Sequence, residues 1–299
     1  MSVFNGAATL TPTLQSVLAQ EACDFEFIVV NDGSSDETGK VLDKCAAGDL
    51  RLRVIHQQNT GLTRALIRGC DASRGLFIAR QDCGDIALPG RLASQVSLLR
   101  ERPDVVLTCV GNRVVGPERE WLFDVVRDGR ALGEGLAQLD VEHLKGPPHH
   151  GATMFRRDAY VRAGGYRSAW VVAQDVDLWL RLAEIGACVG MSTIGYQSQL
   201  ELAGISSRRR AEQLQLCQLA VDCARLRRDG QSDAARIEAY IPPPIQPKHP
   251  IDDAERARFL YFIGSCLRGR DRLAAKRYFS DALALNPWSL RTWVRRIAG

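Results

Sequence analysis

Two acidic residues follow an apolar segment closely enough to hold a ligand or a metal ion together. In the stretch GLFIARQDCGD, from Gly75 to Asp85, the apolar run 76–79 is followed by Asp82 and then Asp85. Carboxylate oxygens are hard donors of the kind that divalent cations prefer, and acids just beyond a strand often bind such ions. Gly84 lies between the two acids. The stretch therefore indicates either a ligand or metal site or an ordinary polar turn between a strand and a helix.

Short apolar segments alternate with helical patterns through the first hundred residues, and these elements have to position the acids. Segments rich in β-branched and aromatic residues are typical of strands, and the segments between them show helical patterns. Strands that recur about every 25 residues with a helix between them favour a parallel sheet with helices on both faces. The predicted elements are strands at 25–30, 52–55, 76–79 and 105–110 and helices at 11–19, 38–47, 62–73 and 90–100.

Polar residues follow three of these predicted strands. Parallel sheets of this kind bind ligands at the carboxyl ends of their strands, so such residues can converge on one edge. The polar pairs are Asn31 with Asp32, Gln58 with Asn59, and Asp82 with Asp85. The strand before the first helix is short, because only residues 1–4 are available for it. Either the chain begins upstream of Met1 or the sheet begins with this short strand.

The overall composition is that of a globular protein with a sizeable core. The chain has 299 residues, of which 45% are hydrophobic and 25% charged, and the net charge of +4 is too small to favour nucleic-acid binding. No apolar run approaches the ~20 residues of a membrane span, and the start lacks the features of a signal peptide. The nine cysteines include no CxxC pair, which favours a reduced, cytoplasmic chain.

The composition changes beyond residue 205, where arginine and glutamine increase and helical patterns replace strands. Residues 206–299 are predicted to form a separate helical region, with a proline-rich linker at 241–250 and a helical hairpin at about 254–295 that turns near Gly269. The hairpin is similar to one tetratricopeptide-type unit, and one unit is too few for a repeat array. The region is either a packing appendage or a surface for a partner.

Five motifs in the first 205 residues resemble, in order and spacing, those of family 2 glycosyltransferases with the GT-A fold. They are DFEFIVVNDGSSDETGKVL, NTGLTRALIRG, GLFIARQDCGDIALPGRLASQ, HHGATMFRRDAYVRAGGYR and AQDVDLWLRL. The resemblance implies a GT-A domain at 1–205, an α/β fold with a Rossmann-like, mostly parallel sheet and helices on both faces, to which the C-terminal α-helices are appended. It also implies transfer of a sugar from a nucleotide-diphosphate donor with inversion at the anomeric carbon.

The resemblance implies a set of donor contacts in the N-terminal half. Asp32 matches the second acid of the family's D-D-G-S turn, which contacts the donor base, usually uracil; the alternative is a cap for the next helix. Val3, Phe4 and Asn5 match the P-T-Y-N segment that walls the base pocket. Arg64 follows a glycine near a helix start, which suits a diphosphate. It takes the place of the cation of the family's A-R-N triplet, or it is a solvated surface arginine.

Asp82 and Asp85 match the family's D-x-D-D position, which implies a divalent metal site for Mn²⁺ or Mg²⁺. Asp82 is the first acid, which contacts the ribose or the metal. Gly84 replaces the second acid and Asp85 is the third, so the resemblance implies a weakened metal site. The alternative is a polar turn without a metal.

Asp175 matches the second residue of the family's E-D motif, which implies the general base that deprotonates the acceptor hydroxyl. Gln174 replaces the usual glutamate; an amide cannot act as a base, but it can hydrogen-bond the acceptor. His149 and His150 match a position near the donor sugar or the metal in relatives, or they are structural. The alternative for Asp175 is a helix cap.

The sequence therefore predicts an inverting, hexosyltransferase-type glycosyltransferase of cell-surface polysaccharide or glycoconjugate synthesis. The expected partners are a UDP-sugar and a glycan or lipid-linked acceptor, with no nucleic acid and at most peripheral membrane association. The expected location is the cytoplasm or the inner face of its membrane. The rival interpretations are a degenerate relative that binds nucleotide-sugar without transfer, and an interaction module that uses the C-terminal helices. A nucleotidyltransferase is disfavoured, because no Gly-rich phosphate loop with a lysine is present near the start.

Overall fold

The computed structural model describes residues 1–202, 209–241 and 251–298. The described residues form a mixed α/β structure, as predicted. The strands are Ser2–Val3 (β1), Phe27–Asp32 (β2), Leu52–Gln57 (β3), Phe77–Ala79 (β4), Ile86–Ala87 (β5), Val105–Val115 (β6), Trp121–Val125 (β7), Thr153–Arg156 (β8) and Ala187–Gln199 (β9).

Helices connect most of these strands and dominate the C-terminal part. The helices are Ala7–Leu18 (α1), Thr38–Gly48 (α2), Leu62–Asp71 (α3), Arg91–Glu101 (α4), Ala131–Ala137 (α5), Arg157–Arg162 (α6), Gln174–Ala183 (α7), Arg210–Arg228 (α8), Ala234–Glu238 (α9), Asp253–Leu267 (α10), Arg272–Leu285 (α11) and Leu290–Ala298 (α12). A short 3₁₀ helix at His150–Ala152 precedes β8.

The first sheet has the parallel pairing that the βαβ pattern predicts. Its strand order is β1-β2-β3, and both pairs are parallel. Every residue of β2 is buried, which fits its run of β-branched and aromatic side chains. β1 is short, with Ser2 opposite Val30 and Val3 opposite Asn31. Helix α1 packs its buried side chains, such as Leu10 and Leu14, into the same core as Val29.

The second sheet is mixed, and here the pairing differs from a simple parallel series. Its order is β4-β8-β6-β9-β5, with β7 paired to β6. β4 and β6 both pair antiparallel with β8, so they run parallel to each other with β8 between them. The predicted strands at 76–79 and 105–110 exist and share a direction, but they are not neighbours. Strand β8, which comes later in the chain than both, lies between them. No local pattern in the sequence indicates this insertion.

The described residues pack into two compact units. The boundary between these units is not at residue 205, because each unit contains several segments of the chain. Helix α8 packs mainly with the first unit, and β7 contributes to the second. The assignment of 1–205 as the transferase domain stays a prediction. Of the predicted linker, residues 242–250 lie outside the described residues. The first unit comprises 1–112, 125–198 and 211–241, and the second comprises 113–124, the described part of 199–210, and 251–298.

The second unit contains the predicted helical hairpin. Helices α10 and α11 pack against each other through residues such as Ile263 and Phe279, and Val114 and Leu122 complete this core. The hairpin turns at 268–271, near Gly269 as predicted. Each of the two helices begins at a capping aspartate, whose carboxylate accepts a backbone N–H three residues further on. A third helix, α12, follows.

No helix in the described ranges combines the length and the hydrophobicity that a bilayer crossing requires.

Candidate active site

The loop between β4 and β5, residues 80–85, carries the acidic pair and is fixed by a buried arginine. The Arg91 guanidinium, in the first turn of α4, donates to the carbonyl oxygens of Arg80 and Gly151, both at 2.6 Å, and to Gln81 Oε1 at 2.9 Å. Burial lowers the pKa of Arg91 to about 10, so it stays charged at neutral pH. Its charge is spread over these fixed acceptors, which hold the loop in one conformation.

Tyr196 of β9 connects the two acids of the loop. Its buried hydroxyl accepts the Asp82 N–H at 3.1 Å and donates to Asp85 Oδ2 at 2.9 Å. Gly151 passes so close that a Cβ there would lie 1.9 Å from the Tyr196 hydroxyl, so a glycine is needed for this contact. The sequence singled out neither Arg91 nor Tyr196 as a site residue, because their roles depend on contacts between residues far apart in the chain.

His149 lies against both acids and completes a group that could bind a metal ion. Its Nδ1 is 3.9 Å from Asp82 Oδ2 and its Nε2 is 3.7 Å from Asp85 Oδ2. One ligand atom from each of the three residues lies within 4.8 Å of the others. The His149 ring stacks on Tyr196, with ring centroids 5.2 Å apart. Burial lowers the pKa of His149, which favours the neutral imidazole that binds metals.

Arg80 holds Asp82 in its ionised form. The guanidinium is buried and donates to Asp82 Oδ1 at 2.5 Å. Burial acts to raise the pKa of Asp82, but the charge of Arg80 prevails and holds it well below its usual range. The sequence did not identify Arg80, although a cation two residues before an acid was a local signal for it.

His150 lies behind Arg80 rather than on the surface of the site. Its Nε2 accepts from Arg80 Nε at 3.2 Å and is 2.7 Å from the Tyr166 hydroxyl. Burial lowers the pKa of His150 well below its usual value, so the ring is a neutral acceptor. These contacts give His150 a positioning role through Arg80, whereas its neighbour His149 faces the acids. The expectation that His150 is near the sugar or acceptor stays a prediction.

The backbone explains why a glycine interrupts the acidic motif. Gly84 has a φ of +97°, a conformation that side chains of L-residues rarely adopt. Its N–H donates to Thr13 Oγ1 at 3.0 Å, which ties the turn to α1. An aspartate at this position would be strained by about 1–3 kcal/mol. The loop therefore offers two acids and a histidine rather than three acids.

The loop that leads into α7 is strained and is held by packing against α8. Ala173 has a φ of +55° although it is not glycine, a conformation that costs about 1 kcal/mol or more. Ala173 and Trp170 are buried in one cluster with Leu216 and other residues of α8. The Trp170 indole donates to the Leu216 carbonyl oxygen at 3.2 Å. Helix α8 thus helps to position the start of α7, a role that the sequence did not indicate.

Asp175, in the first turn of α7, has the electrostatic properties of a general base. Burial raises its pKa to about 6, and the charge of Asp82 acts in the same direction against the backbone hydrogen bonds and Arg80. Its Oδ1 accepts the Val176 N–H at 2.9 Å. By contrast, Asp177 is buried and paired with Arg181, so it is structural, as its position two residues further on predicts.

Gln174 is buried at the beginning of α7, beside Asp175. In the described part of the chain its Oε1 has no hydrogen-bond partner. A buried amide oxygen without a partner costs about 1–3 kcal/mol, and a hydroxyl group bound beside Asp175 would remove that cost. This observation supports the prediction that Gln174 contacts the acceptor.

Asp32 is buried and fully engaged by the loop that precedes α3. Its Oδ1 accepts from the Gln57 side chain at 2.7 Å and the Thr60 N–H at 2.9 Å, and its Oδ2 accepts the Gly61 N–H at 2.9 Å. These bonds also occupy two N–H groups at the helix start that were expected to favour a diphosphate. In this conformation Asp32 organises the loop, and its contact to a donor base stays a prediction.

Replacing Asp32 with alanine is expected to lower the free energy of unfolding by about 2 kcal/mol, because two partly buried backbone N–H groups and an amide lose their acceptor. Urea denaturation of the full chain measures the change. The matched control is Asp43→Ala, which removes an exposed pair with His56 and is expected to cost less than about 1 kcal/mol. Equal, small effects for both variants would contradict the role given to Asp32.

The remaining predicted donor residues differ in exposure. Val3 is buried in the core of the first sheet, and its predicted place in the wall of the base pocket stays a prediction. Phe4 and Asn5 are exposed. The Asn5 side chain accepts the Ser35 N–H at 2.8 Å, and its φ is +51°. Arg64 is exposed in the first turn of α3, and its contact to the diphosphate stays a prediction.

Known proteins are similar to this chain in sequence. The model of the family described as "Glycosyl transferase family 2" matches residues 1–163. The chain is 31% identical over 192 residues to putative glycosyltransferase EpsE of Bacillus subtilis (strain 168), covering 62% of this chain and 66% of that protein. It is 30% identical over 181 residues to amylovoran biosynthesis glycosyltransferase AmsE of Erwinia amylovora, covering 59% and 65%. The chain thus spans slightly less than two thirds of the length of these relatives.

Solved structures share the fold at low sequence identity. S. aureus TarS 1–349 superimposes with a TM-score of 0.59 at 14% identity, covering 96% of this chain and 79% of that one. Mannosyltransferase PcManGT from Pyrobaculum calidifontis, in complex with GDP-Man and Mn²⁺, superimposes with a TM-score of 0.55 at 18% identity, covering 99% and 82%. The predicted GT-A fold class is confirmed. Since the family match covers more than half of the chain, the protein belongs to glycosyl transferase family 2.

Proposed function

We propose that the protein transfers a sugar from a nucleotide-diphospho-sugar to a glycan or lipid-linked acceptor, with inversion at the anomeric carbon. The observation that carries the proposal is Asp175, a half-buried carboxylate whose pKa is raised to about 6. A group with that pKa is largely ionised at neutral pH and is basic enough to accept a proton from a hydroxyl as it attacks. Membership of a glycosyltransferase family supports the reaction class.

In this proposal Asp175 accepts the proton of the acceptor hydroxyl while the hydroxyl oxygen forms a bond to the anomeric carbon. The bond between that carbon and the diphosphate oxygen breaks on the opposite face, and the nucleoside diphosphate leaves with the electron pair. Gln174 holds the acceptor hydroxyl through its unpaired Oε1. One carboxylate is enough, because the departing diphosphate needs countercharge rather than a proton.

Asp82, Asp85 and His149 are the residues that would hold a divalent cation, Mn²⁺ or Mg²⁺. Two carboxylates suit either ion, the imidazole is a softer donor that favours the transition metal Mn²⁺ over Mg²⁺, and one ligand atom from each residue lies within 4.8 Å of the others. His149 Nδ1 accepts the Gly151 N–H at 3.1 Å, so Nε2 carries the proton in this conformation, and binding of a metal at Nε2 would require the tautomer with the proton on Nδ1. A bound cation would supply countercharge for the diphosphate. Asp82 could instead contact the ribose.

The donor is proposed to be a UDP-sugar. A TarS structure is in complex with UDP, whereas the mannosyltransferase is in complex with GDP-Man, so both bases are compatible with the fold. The cell-surface context is proposed from AmsE, which is named for amylovoran biosynthesis. The nine cysteines, all of them within the described ranges, are thiols that form no disulfide, which supports the proposed cytoplasmic location.

A thermal-shift screen of UDP-, GDP- and dTDP-sugars, with and without Mn²⁺, tests the donor and the metal together. Saturation to about 100 times Kd stabilises a protein by about 2.7 kcal/mol, so a UDP-sugar with Mn²⁺ is expected to raise Tm by roughly 5 °C. The absence of a shift with every donor would contradict the proposal. Binding of a donor without release of nucleoside diphosphate in the presence of varied glycan acceptors would favour the degenerate relative.

A further inference from the structure

Helix α12 of the second unit carries an apolar stripe that points to solvent. Leu290, Trp293, Val294 and Ile297 have the i, i+3, i+4, i+7 spacing that places side chains on one face, within an arc of about 100°. In the described part of the chain their exposed fractions are 76%, 40%, 55% and 78%. Trp288, in the turn before the helix, is 94% exposed.

The helix packs on its neighbours through its polar side. Thr292, which lies opposite the stripe on the helical wheel, is 4% exposed. Arg291 lies over the Tyr261 ring of α10, 4.9 Å from its centroid. An amphipathic helix of a globular protein normally turns its apolar face inward. This orientation is the reverse, so the apolar stripe is left for a partner.

The charged residues of helix α12 are all positive. Arg291 and Arg296 border the stripe on its two sides, and the helix sequence LRTWVRRIA contains no acidic residue. A depression beside it, of about 370 Å³, is lined by Lys276, Arg296 and Ile297, among others. Arg277 also lines this depression but is paired with Glu118. The helix therefore combines an exposed apolar stripe with an arginine on each of its edges, which fits an anionic surface.

We propose that helix α12 binds an anionic membrane surface. The helix lies in the plane of the interface, with the stripe in the boundary between headgroups and acyl chains and the arginines on lipid phosphates. Tryptophan, leucine and isoleucine opposite arginines are typical of helices that bind in this way. An apolar stripe with an arginine on each edge matches a surface that is apolar inside and anionic at its boundary, and the arginine stems beside the stripe can extend to the phosphates. The proposal does not depend on the transferase activity.

Flotation of the full chain with vesicles tests this proposal. The vesicles contain phosphatidylcholine alone or with about one third phosphatidylglycerol, at low salt. The wild type is expected to float with anionic vesicles and not with neutral ones, and the fluorescence of its tryptophans is expected to shift to the blue. The double variant Val294→Ser/Ile297→Ser is expected to bind at least about tenfold more weakly, because two apolar side chains no longer enter the membrane. Arg296→Gln is expected to bind about fivefold more weakly.

The matched control is Leu50→Ser/Val161→Ser, which removes two exposed apolar side chains of the first unit, with exposed fractions of 100% and 62%. This variant is expected to bind vesicles like the wild type, and all variants are expected to keep the wild-type Tm. The proposal is overturned if the wild type does not bind anionic vesicles, or if the α12 double variant binds them equally well. A wild-type oligomer that the α12 variant converts to a monomer would also overturn it, because the stripe would then be a protein interface.

Discussion

Replacing Asp175 with asparagine is expected to lower kcat by about 10²–10⁴-fold, the usual contribution of a general base. Asparagine has the same shape and can still accept the Val176 N–H at Oδ1, so donor binding is expected to change little. The measurement is the rate of nucleoside diphosphate release with a saturating donor and acceptor. Turnover within about threefold of the wild type would sink the base assignment.

The pH dependence of the rate follows from the same carboxylate. Because burial raises the pKa of Asp175 to about 6, the group is protonated and inactive as a base below that pH. The wild-type kcat is expected to rise with pH through about 6 and then to level off. The residual rate of Asp175→Asn is expected to lack this rise.

The stability of the same variant distinguishes a base from a helix cap. The pKa of Asp175 is above its ordinary value of 3.8 in the folded protein, so ionisation destabilises the fold as the pH rises from about 4 to 6, by up to about 3 kcal/mol. At pH 7.5, Asp175→Asn is therefore expected to raise the free energy of unfolding by about 1–3 kcal/mol, and this gain disappears below about pH 4. If Asp175 were a helix cap, its replacement would instead lower the free energy of unfolding by about 1 kcal/mol.

Asp177→Asn is the control for this comparison, because Asp177 is two residues away but is ion-paired with Arg181. Removing its charge leaves Arg181 buried without a counterion and is expected to lower the free energy of unfolding by about 3 kcal/mol. The two neighbouring substitutions should thus change stability in opposite directions. Ionisation of Asp175 destabilises the fold. This is consistent with a trade-off between stability and activity at the site.

The sequence predicted most of the local structure, since strands, helix starts and turns depend on residues close together in the chain. The elements at 38–48 and 52–57 lie where their patterns place them. The insertion of β8 between β4 and β6 and the packing of α8 against Trp170 could not be predicted in this way. Both depend on residues 44 or more positions apart in the chain, whose local patterns are compatible with several pairings.

The site shows the same division between local and distant contacts. The acids Asp82, Asp85 and Asp175 stood out because their chemistry and spacing are visible in the sequence. Arg91 and Tyr196, which position two of these acids, did not stand out in the sequence. An arginine in a helix and a tyrosine in a strand are common on surfaces and in cores. Gly84 was visible as a departure, but its cause, the φ of +97°, is a property of the folded loop.

Asp85→Asn and His149→Ala are each expected to weaken Mn²⁺ binding in the presence of UDP by at least about tenfold to a hundredfold, the range found when groups around a metal are removed. The free Mn²⁺ that remains in a titration, followed by electron paramagnetic resonance, measures this without any turnover. His143→Ala is the matched control, because His143 is an exposed histidine paired with Asp140. It should leave Mn²⁺ affinity unchanged.

Asp82 is less suitable for this test than Asp85, although it is the stronger family match. Arg80 is buried and donates to Asp82, so Asp82→Asn leaves an unpaired buried cation and lowers stability together with metal affinity. Asp85 instead accepts from the uncharged Tyr196 hydroxyl at 2.9 Å, and its asparagine variant can keep that bond. Wild-type Mn²⁺ affinity in both Asp85→Asn and His149→Ala would show that these residues form a polar turn rather than a metal site. UDP binding by the wild type that does not depend on Mn²⁺ would also show a polar turn rather than a metal site. Arg80 would then hold Asp82 in position for a contact to the ribose.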